Sequence, residues 1–324
     1  MDDTLALAGQ RLPWLLLGFA FALGAVVGSF LNVVIARVPA GESIVAPRSR
    51  CPRCKSQLAW FENVPLVSWL LLRARCRHCG QPISARYPMV ELLLGVLAVA
   101  LGKRFGFAPA ALGYFAFAAA LVALAYIDLD TWLLPHQITW PLIAVGLASP
   151  LWNRALGFRE SALGAALGFA AFAAVALFGE KVLRRETMGW GDVWLLAGIG
   201  AWLGFKALLP VVLLSSLQGA IAGLALIALG RDPSRREESP AQEAPPAPAD
   251  SACPPAPPSL DGSPSAAAQD ADSASRNPLD EDDWVPPRHA VPFGPFLALA
   301  ALEVLLIGPA LFAAWDRLLV RVFW

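Results

Sequence analysis

The sequence predicts an all-α polytopic membrane protein of about eight transmembrane helices with a small cytosolic zinc-ribbon-like loop. Three observations carry this expectation. Of the 324 residues, 57% are apolar and only 15% are charged, whereas a soluble domain sits nearer half and a quarter. Apolar runs approach the roughly 20 residues that a helix needs to cross a bilayer. Four cysteines fall in two Cys-x-x-Cys pairs between the first two of those runs. Lys+Arg 25 equals Asp+Glu 25, so the basic excess of an ordinary nucleic-acid binder is absent.

Eight stretches qualify as candidate spans: 12–36, 88–102, 108–127, 133–151, 160–180, 189–204, 207–229 and 293–315. The first, third, fifth, seventh and eighth are long and nearly charge-free. The second and sixth are short, with Glu91 and Asp192 inside them or at their edge. Gly, Ala and Leu dominate, as expected where small residues let membrane helices approach closely. Gly24 and Gly28 form one such small-residue pair, read as helix packing.

Orientation follows from the placement of Lys and Arg. With the N-terminus outside, the inside segments 37–87, 128–132, 181–188 and 230–292 hold 17 of the 25 basic residues. Nine of these lie in 37–87, directly after the first span. Asp2 and Asp3 replace the basic region with which a cleaved signal peptide begins, so the first span is expected to be a retained anchor. The N-terminus is therefore expected outside and the 37–87 loop in the cytosol.

The balanced charge hides two unlike regions. Residues 231–290 hold 5 Arg against 12 Asp/Glu, and 13 Pro, 12 Ala and 8 Ser. Such a composition buries too little apolar surface to offset chain entropy and predicts a disordered acidic insert. The organisation expected is an N-terminal anchor (1–36), a cytosolic four-Cys loop (37–87) and a transmembrane core (88–229). The insert (230–290) and a last helix with the C-terminus (291–324) complete it.

The four cysteines are Cys51-Pro-Arg-Cys54 and Cys76-Arg-His-Cys79, with 21 residues between the pairs. This separation is slightly longer than in the usual zinc ribbon. Two residues between thiolates let one tight turn aim both sulfurs at a single ion, and two turns close a tetrahedron. A closed site makes the zinc structural. Gly80 follows the second pair, where such a knuckle favours positive φ. Two disulfides are the competing reading, but they need an oxidising compartment. His78 could replace one thiolate, and Cys253 in the insert is read as unpaired.

Most acidic residues outside the insert lie in loops. Asp128 closes the third span, and Asp192 opens the sixth within Met188-Gly189-Trp190-Gly191-Asp192. Alternating topology brings both to the cytoplasmic face, and ionisable groups at membrane depth are functional candidates. Three readings are open on residues alone. A close carboxylate pair would share one proton and run acid–base hydrolysis. Asp192 could instead be a helix N-cap, with Asp128 an interfacial residue. A proton-coupled transporter could use the same groups. Gly189 and Gly191 supply a stretch free of side chains along which an extended substrate could lie.

These segments resemble the bacterial prepilin peptidases, the leader peptidase/N-methyltransferases of type IV pili and type II secretion. The matching residues are Gly28-Ser29-Phe30-Leu31-Asn32 with Arg37 and Pro39, the four-Cys loop, and Arg86-Tyr87-Pro88-Met89-Val90-Glu91-Leu92. They continue through Asp128-Leu129-Asp130 before Leu134-Pro135, the Met188–Asp192 segment, 200–204 and 292–297. The resemblance implies a GxGD-type intramembrane aspartic protease with Asp128 and Asp192 as the catalytic pair. Asp128 rather than Asp130 is implied, because the family's first aspartate stands seven residues before the Leu/Ile-Pro proline, here Pro135.

It further implies that type IV prepilins or pseudopilins are cut on the cytoplasmic side, between a short basic leader and the hydrophobic pilin helix. Methylation of the new N-terminus by S-adenosylmethionine is implied as well, with Glu91 and Gly95 as candidates; a peptidase without methylation is the alternative. The nine basic residues of the first loop suit topology and lipid contact better than a basic leader. Two departures flank the site: His136 stands where the family has Asp or Asn, and Trp194 where it has Lys.

Overall fold

The computed structural model describes residues 13–51, 53–153, 156–184, 188–228 and 291–323. Residues 1–12 and the insert with Cys253 lie outside the described residues. The chain divides into two units, one of 1–221 with 292–324 and one of 222–291. Of the second unit, only the last turns of one helix (222–228) and Val291 are described.

A helix stands at each of the eight candidate spans. These are α1 (Pro13–Arg37), α3 (Arg86–Phe105), α4 (Pro109–Thr131), α5 (His136–Ala148), α6 (Phe158–Phe178), α7 (Trp190–Leu203), α8 (Phe205–Ala228) and α9 (Gly294–Phe323). A five-residue helix, α2 (Val67–Leu71), lies in the cysteine loop. Among the described residues there is no strand, and the architecture is all-α as expected. Helices α1, α4, α6 with its continuation, and α8 are long and apolar enough to cross a membrane. At 1.5 Å per residue, α5 and α7, with 13 and 14 residues, reach only about 20 Å.

The core runs along α4 and α7. Phe117, Leu121, Leu124 and Ile127 of α4, Val193, Leu195, Leu196 and Ile199 of α7, and Leu297 of α9 are fully buried. Helix α4 is the most buried of the long apolar helices and α8 the least. The most intimate packings are α1 on α3 and α6 on α7, and both rely on glycine. A Cβ on Gly28 would lie 2.7 Å from the Glu91 Cα, and one on Gly24 2.8 Å from the Ala98 Cβ. On the other pair, Gly164 and Gly200 meet backbone to backbone. Lipid tails are as apolar as leucine, so helices associate through such close van der Waals contact. Buried polar bonds add direction: Trp202 Nε1 donates to the Leu142 carbonyl at 2.9 Å, and Ser161 Oγ to the Ala201 carbonyl at 2.8 Å.

Candidate active site and metal centre

Asp128 lies in the last turn of α4. The helix stops because Trp132 turns left-handed (φ 57°) and its N–H donates to the Asp128 carbonyl at 2.9 Å. Leu133, Leu134 and Pro135 then lead into α5. Asp192 is the third residue of α7, where free amides and the helix dipole favour a carboxylate. It does not cap the helix: Gly189 occupies that position, with no side chain bonded to it.

The packing brings the two aspartates together from helices separated by two others. Their carboxylates interact electrostatically, and Leu134 packs between their surroundings. A Cβ on Gly191 would fall 2.8 Å from the Leu134 Cβ. One on Gly294 would fall 2.5 Å from Asp128 Oδ2 and 3.5 Å from Leu134 Cδ1. Glycine at both positions therefore lets the first turns of α7 and α9 close on the end of α4. Asp128 is buried and accepts a hydrogen bond from the Gly294 N–H. Asp192 Oδ1 is buried with no hydrogen-bond partner among the described residues.

Asp130, the ambiguous neighbour, is engaged elsewhere. Arg86 grips it with both guanidinium arms, Nη1–Oδ1 2.8 Å and Nη2–Oδ2 2.6 Å, and stacks 4.8 Å over the Tyr126 ring. This pair fastens the start of α3 to the end of α4. Gly189 faces open space, with nothing within 4 Å of a Cβ placed there. His136 and Trp194 meet: His136 stacks on Trp140 at 5.2 Å, and Trp194 stands edge-on to both at 6.5 and 6.4 Å. Phe169 completes the cluster 4.9 Å from Trp194.

Glu91 is buried on α3, where it accepts the Leu66 N–H at 2.8 Å and the Ser29 hydroxyl. Gly95, one turn on, faces the Phe21 ring, 2.7 Å from where a Cβ would stand. The structure thus gives Gly95 a packing role between α1 and α3.

In the loop, Cys51, Cys54, Cys76 and Cys79 converge so that all four sulfurs lie within 4.8 Å of one another. Cys51 and Cys79 are 4.0 Å apart, close to the edge of a tetrahedron with metal–sulfur bonds of about 2.3 Å. None of the four is in a disulfide. The two knuckles repeat one geometry. Cys51 N–H donates to Ser56 and Lys55 N–H to Cys51; Cys76 N–H donates to Gln81 and Gly80 N–H to Cys76, all at 2.8–2.9 Å. Gly80 has the expected positive φ of 68°, and Lys55 holds the matching position at 59°.

The Ser56 hydroxyl and N–H pull the Cys54 thiol down to about 6. The N–H groups of Cys79 and His78 lower Cys76. At Cys79 the Gln81 N–H pulls downward, but burial and the three neighbouring thiols outweigh it and push the thiol up to about 11. Four sulfurs within 4.8 Å of one another, outside any disulfide, form a donor set that fits a tetrahedral zinc ion. His78 stays outside the cluster, 3.7 Å from Glu62.

Two family models match the chain: the bacterial peptidase A24 N-terminal domain over residues 22–105, and the type IV leader peptidase family over 115–224. A prepilin leader peptidase/N-methyltransferase of Myxococcus xanthus is 49% identical over 317 residues, covering 90% of each chain. The chain belongs to the type IV leader peptidase family. Proteins of the same name from Burkholderia pseudomallei (43% identical, 66% of this chain and 78% of the relative) and Aeromonas hydrophila (40%, 67% and 83%) are also similar. No solved structure matches at a significant level. The split between the two matched models falls between α3 and α4, so the four-Cys loop and Glu91 lie in one and both aspartates in the other.

Sequence reasoning missed two features of this family member. Gly294 was read as part of a matching segment, not as a donor to Asp128. Glu303, a lone carboxylate inside the last apolar run, accepts a 2.6 Å hydrogen bond from Gln218 Nε2 on α8. The rule that singled out Asp128 finds Glu303 as well.

Proposed function

We propose that the chain is a membrane-embedded aspartic endopeptidase that removes the short basic leader of type IV prepilins or pseudopilins and methylates the new N-terminus. The observation that carries the reading is the convergence of Asp128 and Asp192, with one Asp192 oxygen buried and unpartnered, in a member of this family. The engagement of Asp130 by Arg86 leaves Asp128 as the first-motif carboxylate facing Asp192.

One carboxylate, ionised, takes a proton from water as the water oxygen attacks the scissile carbonyl carbon. The other, protonated, gives its proton to the carbonyl oxygen. Collapse of the tetrahedral species breaks the C–N bond, and the amine leaves with a proton from the pair. Gly294 holds Asp128 by its N–H, while the helix dipole orients negative charge at Asp192. The open, extended backbone at Gly189 gives the substrate strand room beside Asp192.

S-adenosylmethionine supplies the transferable methyl group. Glu91, fixed by Ser29 and Leu66, is the acid of this chain placed to accept the amine's proton; Gly95 contributes packing. Zinc held by the four cysteines is structural. The segment boundaries at 36, 87, 229 and 290, eight spans in the inner membrane, a periplasmic N-terminus and a cytoplasmic-facing site complete the proposal, with prepilins and lipid as partners.

Leader removal from a prepilin in membranes tests the peptidase half: Asp128→Asn and Asp192→Asn should each abolish it while the protein remains inserted. Normal processing by either variant refutes the assignment. Mass spectrometry of the mature pilin N-terminus tests the other half by the presence of one added methyl.

A further inference from the structure

The short helix α2 is turned the wrong way for a segment in water. Val67, Leu70 and Leu71 stand at i, i+3 and i+4, the spacing that shares one helix face, and they are 51%, 67% and 77% exposed. The polar residue of the helix is tucked in, with Ser68 Oγ donating to the Val64 carbonyl at 2.6 Å. Trp69 Nε1 donates to the Ile83 carbonyl at 3.3 Å and ties the helix to the rest of the loop. Trp60, 79% exposed, lies in the turn packed beside α2. Large apolar groups gathered on a surface mark an interaction site.

Two contacts fix where this face stands. Leu66, the residue before α2, donates its N–H to Glu91 at 2.8 Å. Glu91 lies five residues past the start of α3, about 7.5 Å along the helix. On the other side, Asn63, Val64 and Pro65 border the same cleft as Val26, Ser29 and Phe30, in the last turns of α1 before Arg37. Helix α2 therefore begins beside residues of two candidate spans, not out in the solvent beyond them.

The surroundings are basic. Between 43 and 85 there are seven Lys/Arg and one acid, Glu62, and Glu62 is buried. Arg73 is exposed just past α2, with its N–H on the Leu70 carbonyl at 3.1 Å. Arg77 stacks 5.4 Å over Phe61, the neighbour of Trp60. A basic rim of this kind repels a second copy of the same face and a basic leader alike. It suits the anionic surface of a lipid leaflet.

We propose that the cysteine loop is seated on the bilayer surface through α2. Val67, Leu70, Leu71 and Trp60 enter the boundary between headgroups and acyl chains, as the apolar face of an interfacial helix does. Arg73 and Arg77 meet the phosphates. A tryptophan suits that depth, with an apolar ring and one N–H for the headgroup layer. Because Leu66 holds Glu91 from the residue before α2, the seat also braces the loop against α3. Neither half of the proposed function is needed for it.

The test places the full-length protein in vesicles of equal parts phosphatidylcholine and phosphatidylglycerol. A trace of phospholipid carries a photoactivatable group high on one acyl chain, and labelled peptides are located by mass spectrometry. Label is expected on 60–71 as well as on the exposed α8 peptide around Leu213 and Leu217. Leu70→Gln with Leu71→Gln should lower label on 60–71 by about tenfold or more, with the α8 label and the zinc content unchanged. Vesicles of phosphatidylcholine alone should lower it several-fold in the unaltered protein. Label on α8 with none on 60–71 overturns the seat, and so does label on 60–71 that the double variant leaves undiminished. Equal label in the two lipid mixtures overturns the assignment of Arg73 and Arg77 to phosphates. Label on 60–71 that added prepilin displaces overturns the seat in favour of a substrate dock.

Discussion

Cys51, Cys54, Cys76 and Cys79 meet through two tight turns that repeat the same hydrogen bonds. Asp128 and Asp192 meet only because α4, α7, the Leu133–Pro135 link and the start of α9 close around them. The first site is specified within a few residues of each ligand. The second is a product of the assembled bundle, with each carboxylate delivered by a different helix end. Damage to the two should therefore differ in kind. A local site fails by losing its ion, whereas an assembled site fails when any one of its supporting elements shifts.

The largest effect separates the two sites outright. Asp128→Asn or Asp192→Asn should lower leader removal by on the order of 10²–10⁴-fold, the usual scale of acid–base catalysis. Zinc measured by atomic absorption should stay at one ion per chain in both. Next comes Cys51→Ser with Cys76→Ser, which should empty the metal site and leave the loop sensitive to limited proteolysis, since structural zinc contributes folding energy outright. Full metal content in that double variant would exclude the four-thiolate site. Helical content by circular dichroism should barely change, because the loop contributes only α2 and one short turn.

This contrast also explains what could be read from the sequence. A helix stands at every apolar run, because span length and composition are properties of one segment. The knuckles were equally legible, down to the positive φ at Gly80. The approach of Asp128 to Asp192 was not derivable from residues alone, and only the resemblance to a family implied it. Nor was the fate of Asp130, since its partner Arg86 lies on another helix and no local pattern announces the pairing. Glu303 is legible as a lone acid inside a long apolar run, but its partner Gln218 lies on another helix and no local pattern announces it. His136 and Trp194 each read as an isolated departure; only the packing of α5 on α7 shows them as one aromatic cluster.

A backbone donor offers a sharper probe of assembly than a side chain. Gly294→Ala adds a methyl group that would stand 2.5 Å from Asp128 Oδ2, so α9 or the carboxylate must move. Misplacing a catalytic group by about 1 Å costs on the order of 10²-fold, and kcat for leader removal should fall accordingly. The zinc site should keep its ion. Gly189→Ala, facing open space, serves as the matched control and should change kcat far less than Gly294→Ala. Equal losses in the two would mean that the α9 contact does not position Asp128.

The smallest expected effect tests whether Asp130 belongs with the Asp128–Asp192 pair or with the scaffold. Its bidentate bond to Arg86 is geometrically strong, but both side chains are more than a third exposed, 36% for Arg86 and 41% for Asp130. Solvent screening reduces such pairs to about 0.2–1 kcal/mol. Asp130→Asn removes the charge and keeps one acceptor for the guanidinium, so thermal stability should fall by no more than that range. Leader removal should change by about fivefold at most, the rate equivalent of 1 kcal/mol. Arg86→Gln should behave alike, because it breaks the same fastening between α3 and α4. If Asp130→Asn instead matched Asp128→Asn in a leader-removal assay, the first-motif carboxylate would have to be reassigned, and Arg86 would be gripping a catalytic group.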